Sequence, residues 1–149
     1  MTRLHDEIAS RLRAVGQRYT PKRRALVDAL ARAGNPVTIA DLADASRGLP
    51  QSSVYRNLAL LEQVGVVHRV VTGEDFSRYE LTEDLTEHHH HLVCGSCGRV
   101  EDVTVPSTLE RSLVRTLSGI AEHAGFATVN HRLDLIGTCR RCRNASATA

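Results

Sequence analysis

Six side chains able to bind a metal fall within ten residues of this 149-residue chain: His88, His89, His90, His91, Cys94 and Cys97. All four cysteines and seven of the eight histidines lie from His68 onward. The cysteines form two pairs, Cys94-x-x-Cys97 and Cys139-x-x-Cys142. In such a knuckle both thiolates can face one Zn²⁺ at about 2.3 Å, and two knuckles close a tetrahedron. The spacing therefore predicts a closed, structural zinc site made of all four cysteines. A redox Cys-x-x-Cys or two unrelated thiol pairs would use the same residues, but the doubled motif with no odd cysteine favours zinc.

The histidine run carries a second expectation. Side chains of an extended segment alternate sides, so His89 and His91 face one way while His88 and His90 face the other. One short strand can then feed two separate metal sites. A solvated loop or an expression tag would also be histidine-rich, yet a tag sits at a terminus, and this run abuts Leu92-Val93 and the first knuckle.

The elements that must position these groups can be read along the chain. Leu4, Ile8, Leu12 and Val15 have helical spacing, and Gly16 ends that helix. Thr20-Pro21 starts a second helix, with a hydroxyl at the N-cap and proline at the first helical position, burying Ala25, Leu26, Ala29 and Leu30. Thr38 caps a short third helix through Ala45. After Gly48-Leu49-Pro50, Ser52 or Ser53 opens a fourth, carrying Val54, Leu58, Leu61 and Val64. A short helix, a tight turn and a helix with polar first turns is helix-turn-helix order. Residues 66–71 and 76–81 then read as two strands around Gly73-Glu74-Asp75, a hairpin wing.

The acidic stretch 83–87 reads as a flexible linker. Beyond it come a strand from about His91, the first knuckle and a strand over 100–105. A helix from Pro106 repeats Leu109, Leu113, Leu117 and Ile120, as core or dimer seam, and carries a surface His123 near its end. A strand over 127–136 then leads to the second knuckle. The mixed α/β (α+β) chain thus divides into an N-terminal winged helix-turn-helix domain (1–82), a linker (83–87) and a small α/β metal-binding domain (88–149).

Composition sets the setting. The length allows one domain or two small ones, and 42% hydrophobic residues with three Tyr, two Phe and no Trp predict an aliphatic core. No apolar run approaches the roughly 20 residues of a membrane span, and the N-terminus has no signal-like apolar stretch, so a cytoplasmic protein is expected. In that reducing compartment paired cysteines serve as metal ligands more readily than as disulfides. The net charge of +2 hides an asymmetry: residues 1–64 hold ten Lys/Arg against six Asp/Glu, and residues 65–149 hold nine against eleven. The first half is the better nucleic-acid face.

Gly-Gln-Arg-Tyr-Thr-Pro-Lys-Arg (16–23), Ser-Ser-Val-Tyr-Arg-Asn-Leu (52–58), the Gly-Val-Val wing entry, the histidine-rich segment and both knuckles together resemble the ferric uptake regulator family of bacterial metal-responsive repressors. The resemblance covers nearly the whole chain. It implies an obligate homodimer that binds a palindromic double-stranded DNA operator. It also implies structural zinc on Cys94, Cys97, Cys139 and Cys142, and a regulatory metal on His68, Glu80, His89 and His91, with Asp102 as a further acidic candidate. His88, His90, Glu110 and His131 match a third site. Tyr55 and Arg56 match recognition-helix contacts and Ser52 lies beside them, while Arg18, Lys22, Arg23 and Arg24 match phosphate contacts.

Two departures narrow the chemistry. Iron-sensing members carry a histidine where this chain has Pro36, and zinc-sensing members carry a regulatory-site cysteine that this chain lacks. The regulatory donors are then nitrogen and oxygen only, a set compatible with Zn²⁺, Fe²⁺, Mn²⁺ or Ni²⁺. Glu80 stands where peroxide sensing in the family is associated with aspartate. The expected function is a metal-dependent repressor of metal-homeostasis genes with Zn²⁺ or Fe²⁺ as co-repressor; manganese-, nickel- or peroxide-responsive members are the alternative. A hydrolytic metalloenzyme and a zinc-ribbon interaction module are the competing classes. The first would need a general base, and no His-Glu-x-x-His is present. The second leaves the helix-turn-helix order unexplained, so no enzymatic activity is expected.

Overall fold

A computed structural model of the chain describes residues 2–46, 48–71, 77–127 and 130–147. Four helices come first: α1 (Thr2–Ala14), α2 (Pro21–Ala33), α3 (Ile39–Ala45) and α4 (Gln51–Gln63). Ile8 and Leu12 of α1, Leu26, Val27 and Leu30 of α2, Leu42 of α3, and Val54, Leu58 and Leu61 of α4 all meet in one aliphatic core. The expected faces hold with two adjustments. Val15 falls beyond the end of α1 and is exposed, and Val27 occupies the core place expected of Ala25, which is only half-buried.

Local chemistry sets the helix ends. Thr20 accepts from the Arg23 amide at 3.4 Å with Pro21 at the first position, and Gly34 ends α2 with φ 65°, a conformation that glycine adopts without strain. Thr38 and Asp41 form a reciprocal capping box on α3. Helix α4 opens differently from expectation, at Gln51 behind Pro50 with no side-chain cap, so neither Ser52 nor Ser53 is its cap.

Strands β1 (Val67–Val71) and β2 (Ser77–Leu81) pair antiparallel, with His68 opposite Glu80. Val37 bridges to Tyr79 at the β2 edge and ties the wing to the helices. The hairpin tip at 73–75 lies outside the described residues. The segment expected to be a flexible linker contains a single 3₁₀ turn, Glu83–Leu85, tied to α1 through Asp84. Arg11 bonds Asp84 and donates to the Gly65 carbonyl at 2.6 Å, and the Thr82 hydroxyl donates to the same carbonyl at 2.9 Å.

The second half is a three-stranded sheet in the order β4-β3-β5: β3 (His90–Cys94), β4 (Val100–Val103) antiparallel to it, and β5 (Asp134–Gly137) parallel to it. Helix α5 (Ser107–His123) follows β4, so the crossover between the parallel neighbours β3 and β5 contains both β4 and α5. None of its described residues is buried; Leu109, Val114, Leu117 and Ile120 are exposed, as are Leu135 and Ile136 of β5. Strand β5 is shorter than the 127–136 expected, and Thr128 and Val129 lie outside the described residues. A last helix, α6 (Arg140–Ala147), has no counterpart in the sequence reading, because its residues show no apolar period; the second knuckle starts it, with the Arg143 amide donating to the Cys139 carbonyl at 3.0 Å.

Candidate metal centres and nucleic-acid face

Three clusters of potential ligands form among the described residues, each with its donor atoms within 4.8 Å of one another. The first is Cys94, Cys97, Cys139 and Cys142. A tetrahedron with metal–sulfur bonds of about 2.3 Å has edges of about 3.8 Å, and the Cys97 and Cys139 sulfurs are 3.9 Å apart. Backbone amides of Cys139, Cys97 and Ser96 bring the Cys94 thiol down to about 6. The neighbouring sulfurs of Cys139 and Cys97 push Cys142 up to about 12. Four sulfurs crowded so that the first ionises easily and the last resists is the electrostatics a Zn²⁺ ion relieves, so this donor set fits structural zinc.

Backbone alternation through 88–91 generates the other two clusters. His89 and His91 turn toward Glu80 and Asp102, while His88 and His90 turn toward Glu110 and His131. In the first, one carboxylate oxygen, Glu80 Oε2, lies 3.2 Å from His89 Nε2 and 3.1 Å from His91 Nε2. Asp102 approaches the same two nitrogens at 3.8 and 4.0 Å. Glu80 and His91 are buried. Burial alone would raise the Glu80 carboxyl, but hydrogen bonds and charge from His91 and His89 outweigh it and lower its pKa. Burial likewise opposes charge on the imidazoles. For His89 the Glu87 carbonyl and Glu80 reverse that, for His91 Glu80 and Asp134 do, and both pKa values rise. Asp102 is raised by desolvation. Two imidazoles and two carboxylates pressed together in a half-dry site can hold a divalent cation in place of protons.

His68, expected among these ligands, is not one of the four converging donors. It stands opposite Glu80 on the wing, its pKa lowered by desolvation and by Arg132, with Nε2 buried and unpartnered. Pro36 is buried and offers no donor.

In the third cluster Glu110 is the hub. His90 Nε2 lies 2.8 Å from its Oε2, and His88 and His131 lie 3.2 and 3.1 Å from its Oε1. His131 Nε2 is buried and makes no hydrogen bond of proper geometry despite that distance. Glu110 on α5 thus lies among the three histidines of this cluster.

On the nucleic-acid side, Ser52, Tyr55 and Arg56 occupy the exposed face of α4, spaced three and four residues apart, and Tyr55 is 57% exposed. Arg18 and Lys22 lie on the stretch that leads into and opens α2, and both are exposed. The Arg23 guanidinium bonds Asn57 Oδ1 at 3.1 Å, Gln17 at 3.2 Å and the Arg18 carbonyl. It braces the loop before α2 against α4. Arg24 lies over the Tyr19 ring at 5.3 Å. Sequence reading misses this bracing and also the outer partners Glu83 and Asp134, which face His88 and His91 at 2.9 and 3.0 Å. No local pattern announces them, since they depend on chain pairing.

Helices, wing and ligand clusters of this kind define a metal-responsive transcriptional regulator. The model of the Ferric uptake regulator family matches residues 14–136, and the chain belongs to that family. It is 30% identical over 146 residues to the peroxide-responsive repressor PerR of Staphylococcus aureus, covering 95% of this chain and 92% of that one. The structure of the Helicobacter pylori ferric uptake regulator Fur, described as revealing three functional metal binding sites, aligns with a TM-score of 0.71 at 20% identity, over 95% of this chain and 93% of that one. A zinc-bound manganese uptake regulator aligns with a TM-score of 0.60 at 29% identity, over 90% of this chain and 97% of that one.

Proposed function

We propose that this chain is a cytoplasmic, homodimeric repressor that binds a palindromic DNA operator when a divalent metal occupies the Glu80, His89, His91 and Asp102 cluster. One observation carries the reading: that cluster takes Glu80 from the wing and its other three donors from the second half of the chain. A divalent metal there supplies a single positive centre for both carboxylates. Glu80 fixes the wing to β3 by sharing its oxygen between His89 and His91, and Asp102 adds a carboxylate from β4. Arg78 adds a contact across the same boundary, donating from Nε on β2 to the Gly98 carbonyl at 2.6 Å. The 3₁₀ turn restrained by Arg11 and Thr82 limits the angles open to the wing, so a metal-dependent change acts on a hinge that already has a resting position.

Zinc on the four cysteines is structural in this reading, and Zn²⁺ or Fe²⁺ is the regulatory metal, with Mn²⁺ and Ni²⁺ compatible with the same donors. The third cluster is a further metal site. The exposed apolar residues of α5 and β5 are the surface a second copy would cover. Arg56 and Tyr55 read base edges from α4, while Arg18 and Lys22 hold phosphates and Arg23 braces α4 from behind. A peroxide response is suggested by the PerR relatives and opposed by Glu80.

Selection from a pool of random duplex DNA tests this reading. With Zn²⁺ or Mn²⁺ the protein should enrich a two-fold symmetric sequence, and with a chelator too weak to strip the cysteines it should enrich none. Equal enrichment under both conditions would remove the metal from the function; enrichment under neither would remove the DNA.

A further inference from the structure

Each imidazole in the nitrogen and oxygen clusters has a second ring nitrogen, and the groups facing those nitrogens differ. His89 Nδ1 faces the Glu87 carbonyl at 2.9 Å, a neutral acceptor. His90 Nδ1 is buried without a hydrogen bond. His91 Nδ1 faces Asp134 Oδ1 at 3.0 Å, so within the Glu80 cluster His91 alone is backed by a carboxylate. We propose that Asp134 is a positioning residue of that cluster: it holds the His91 ring so that Nε2 points at Glu80 and Asp102 and makes Nε2 the stronger donor to a divalent cation. The inference rests on the reading of the Glu80 cluster as the regulatory metal site.

The chemistry follows from the tautomers of imidazole. A neutral ring carries one proton, and a carboxylate at Nδ1 draws it there, leaving the lone pair on Nε2. The negative charge behind the ring also raises its basicity, which a backbone carbonyl does far less. Carboxylates in this outer position typically account for about 10–100-fold in metal affinity.

Strand pairing delivers Asp134. Strands β3 and β5 run parallel with His91 in register with Asp134, so the two side chains leave neighbouring strands toward the same face. A one-residue slip would turn Asp134 to the other face. The register is clamped at its C-terminal end by the four-cysteine cluster: the Gly95 amide donates to the Gly137 carbonyl at 2.9 Å and the Cys139 amide to Cys94 Sγ at 3.4 Å. At its other end the His91 amide donates to the Leu133 carbonyl at 3.2 Å. Arg132, 3.9 Å from the second Asp134 oxygen, is the other charged group beside it. Asp134 is not itself one of the four converging donors, so its action runs through His91.

Cobalt titration of the full-length, cysteine-site zinc-loaded protein tests this, because Co²⁺ absorption reports the ligand field. In a His131→Ala background, where the third cluster is disabled, Asp134→Ala should weaken Co²⁺ binding about 10–100-fold and shift the d–d bands. Asp134→Asn, which keeps an acceptor oxygen and loses the charge, should recover part of the loss, and it carries the measurement if the alanine variant fails to fold. In a His89→Ala background, Co²⁺ binding by the third cluster should be unaffected by either change. Equal losses in both backgrounds would make Asp134 a general structural residue and overturn the inference. Unchanged affinity and spectrum in the His131→Ala background would overturn it while leaving the site intact. If His131→Ala alone binds no Co²⁺ beyond the cysteine site, the regulatory-site reading falls, and the role of Asp134 with it.

Discussion

The two halves of the molecule are held together by different physics. In the first, aliphatic side chains from four helices and the wing pack into one core, and Ile8, Leu12, Leu26, Val27, Val54, Leu61 and Val66 are wholly removed from water. In the second, Val93, Cys94, His90, His91 and Val100 are buried, while no described residue of α5 or β5 is. Cys94, His90 and His91, the majority of that short set, are candidate metal ligands. The first half is packed by apolar burial, whereas the described second half buries little besides its candidate ligands.

The sharpest way to break this contrast is to remove the cysteine cluster. Zinc on four cysteines can contribute on the order of 10 kcal/mol to folding. Cys94→Ser or Cys139→Ser should unfold the second half, abolish dimerisation and leave the helical signal of the first half, as followed by circular dichroism and sedimentation. A dimeric variant with unaltered melting would mean that apolar packing suffices in both halves. The converse perturbation is smaller: Leu58→Ala should cost about 2–5 kcal/mol through the cavity it leaves. That loss should appear in the unfolding transition of the helical half, with the zinc content of the protein unchanged.

On the DNA face the contrast is between residues that read and residues that hold the backbone. Arg56→Ala should cost about 1–3 kcal/mol and relax sequence preference, while Lys22→Ala should weaken all sequences alike. Competition binding with altered half-sites distinguishes the two; equal, sequence-independent losses would reduce Arg56 to a phosphate contact.

The smallest effect is a pH dependence of the second half. In the metal-free fold the pKa values of His89 and His91 are raised. Protonation therefore stabilises that fold below the ordinary histidine value of about 6.5, and the contribution is lost as pH rises through the raised values. Metal requires the deprotonated rings, so the gap in melting temperature between metal-loaded and metal-free protein should widen as pH rises and narrow as it falls. A gap independent of pH would mean that these imidazoles do not exchange protons for metal.

The same contrast governs what can be read from the chain. Apolar periodicity marks α1, α2 and α4, and Thr20 and Thr38 mark two helix starts, because those signals are local. The separation of His88 and His90 from His89 and His91 is readable from strand alternation alone. What escapes is long-range. Asp134 reaches His91 only through a parallel pairing 43 residues away in sequence. Arg23 is given by the resemblance as a phosphate contact, and its bond to Asn57 arises only when α2 docks on α4. The 83–87 segment reads as flexible from its composition, and nothing local says that Arg11 restrains it.

The central claim is that a metal at the domain boundary and DNA at the helix-turn-helix and wing favour one arrangement of the molecule. It is tested most directly by measuring operator affinity with and without regulatory metal in the unaltered protein and in His89→Ala, with cysteine-site zinc and dimer content monitored in both. The account predicts a metal-dependent gain of about 5–150-fold in the unaltered protein, equivalent to a coupling of about 1–3 kcal/mol. It predicts no gain in His89→Ala, which should keep its zinc and remain dimeric. A full metal response in that variant would contradict it and move the sensing site to His88, His90, Glu110 and His131.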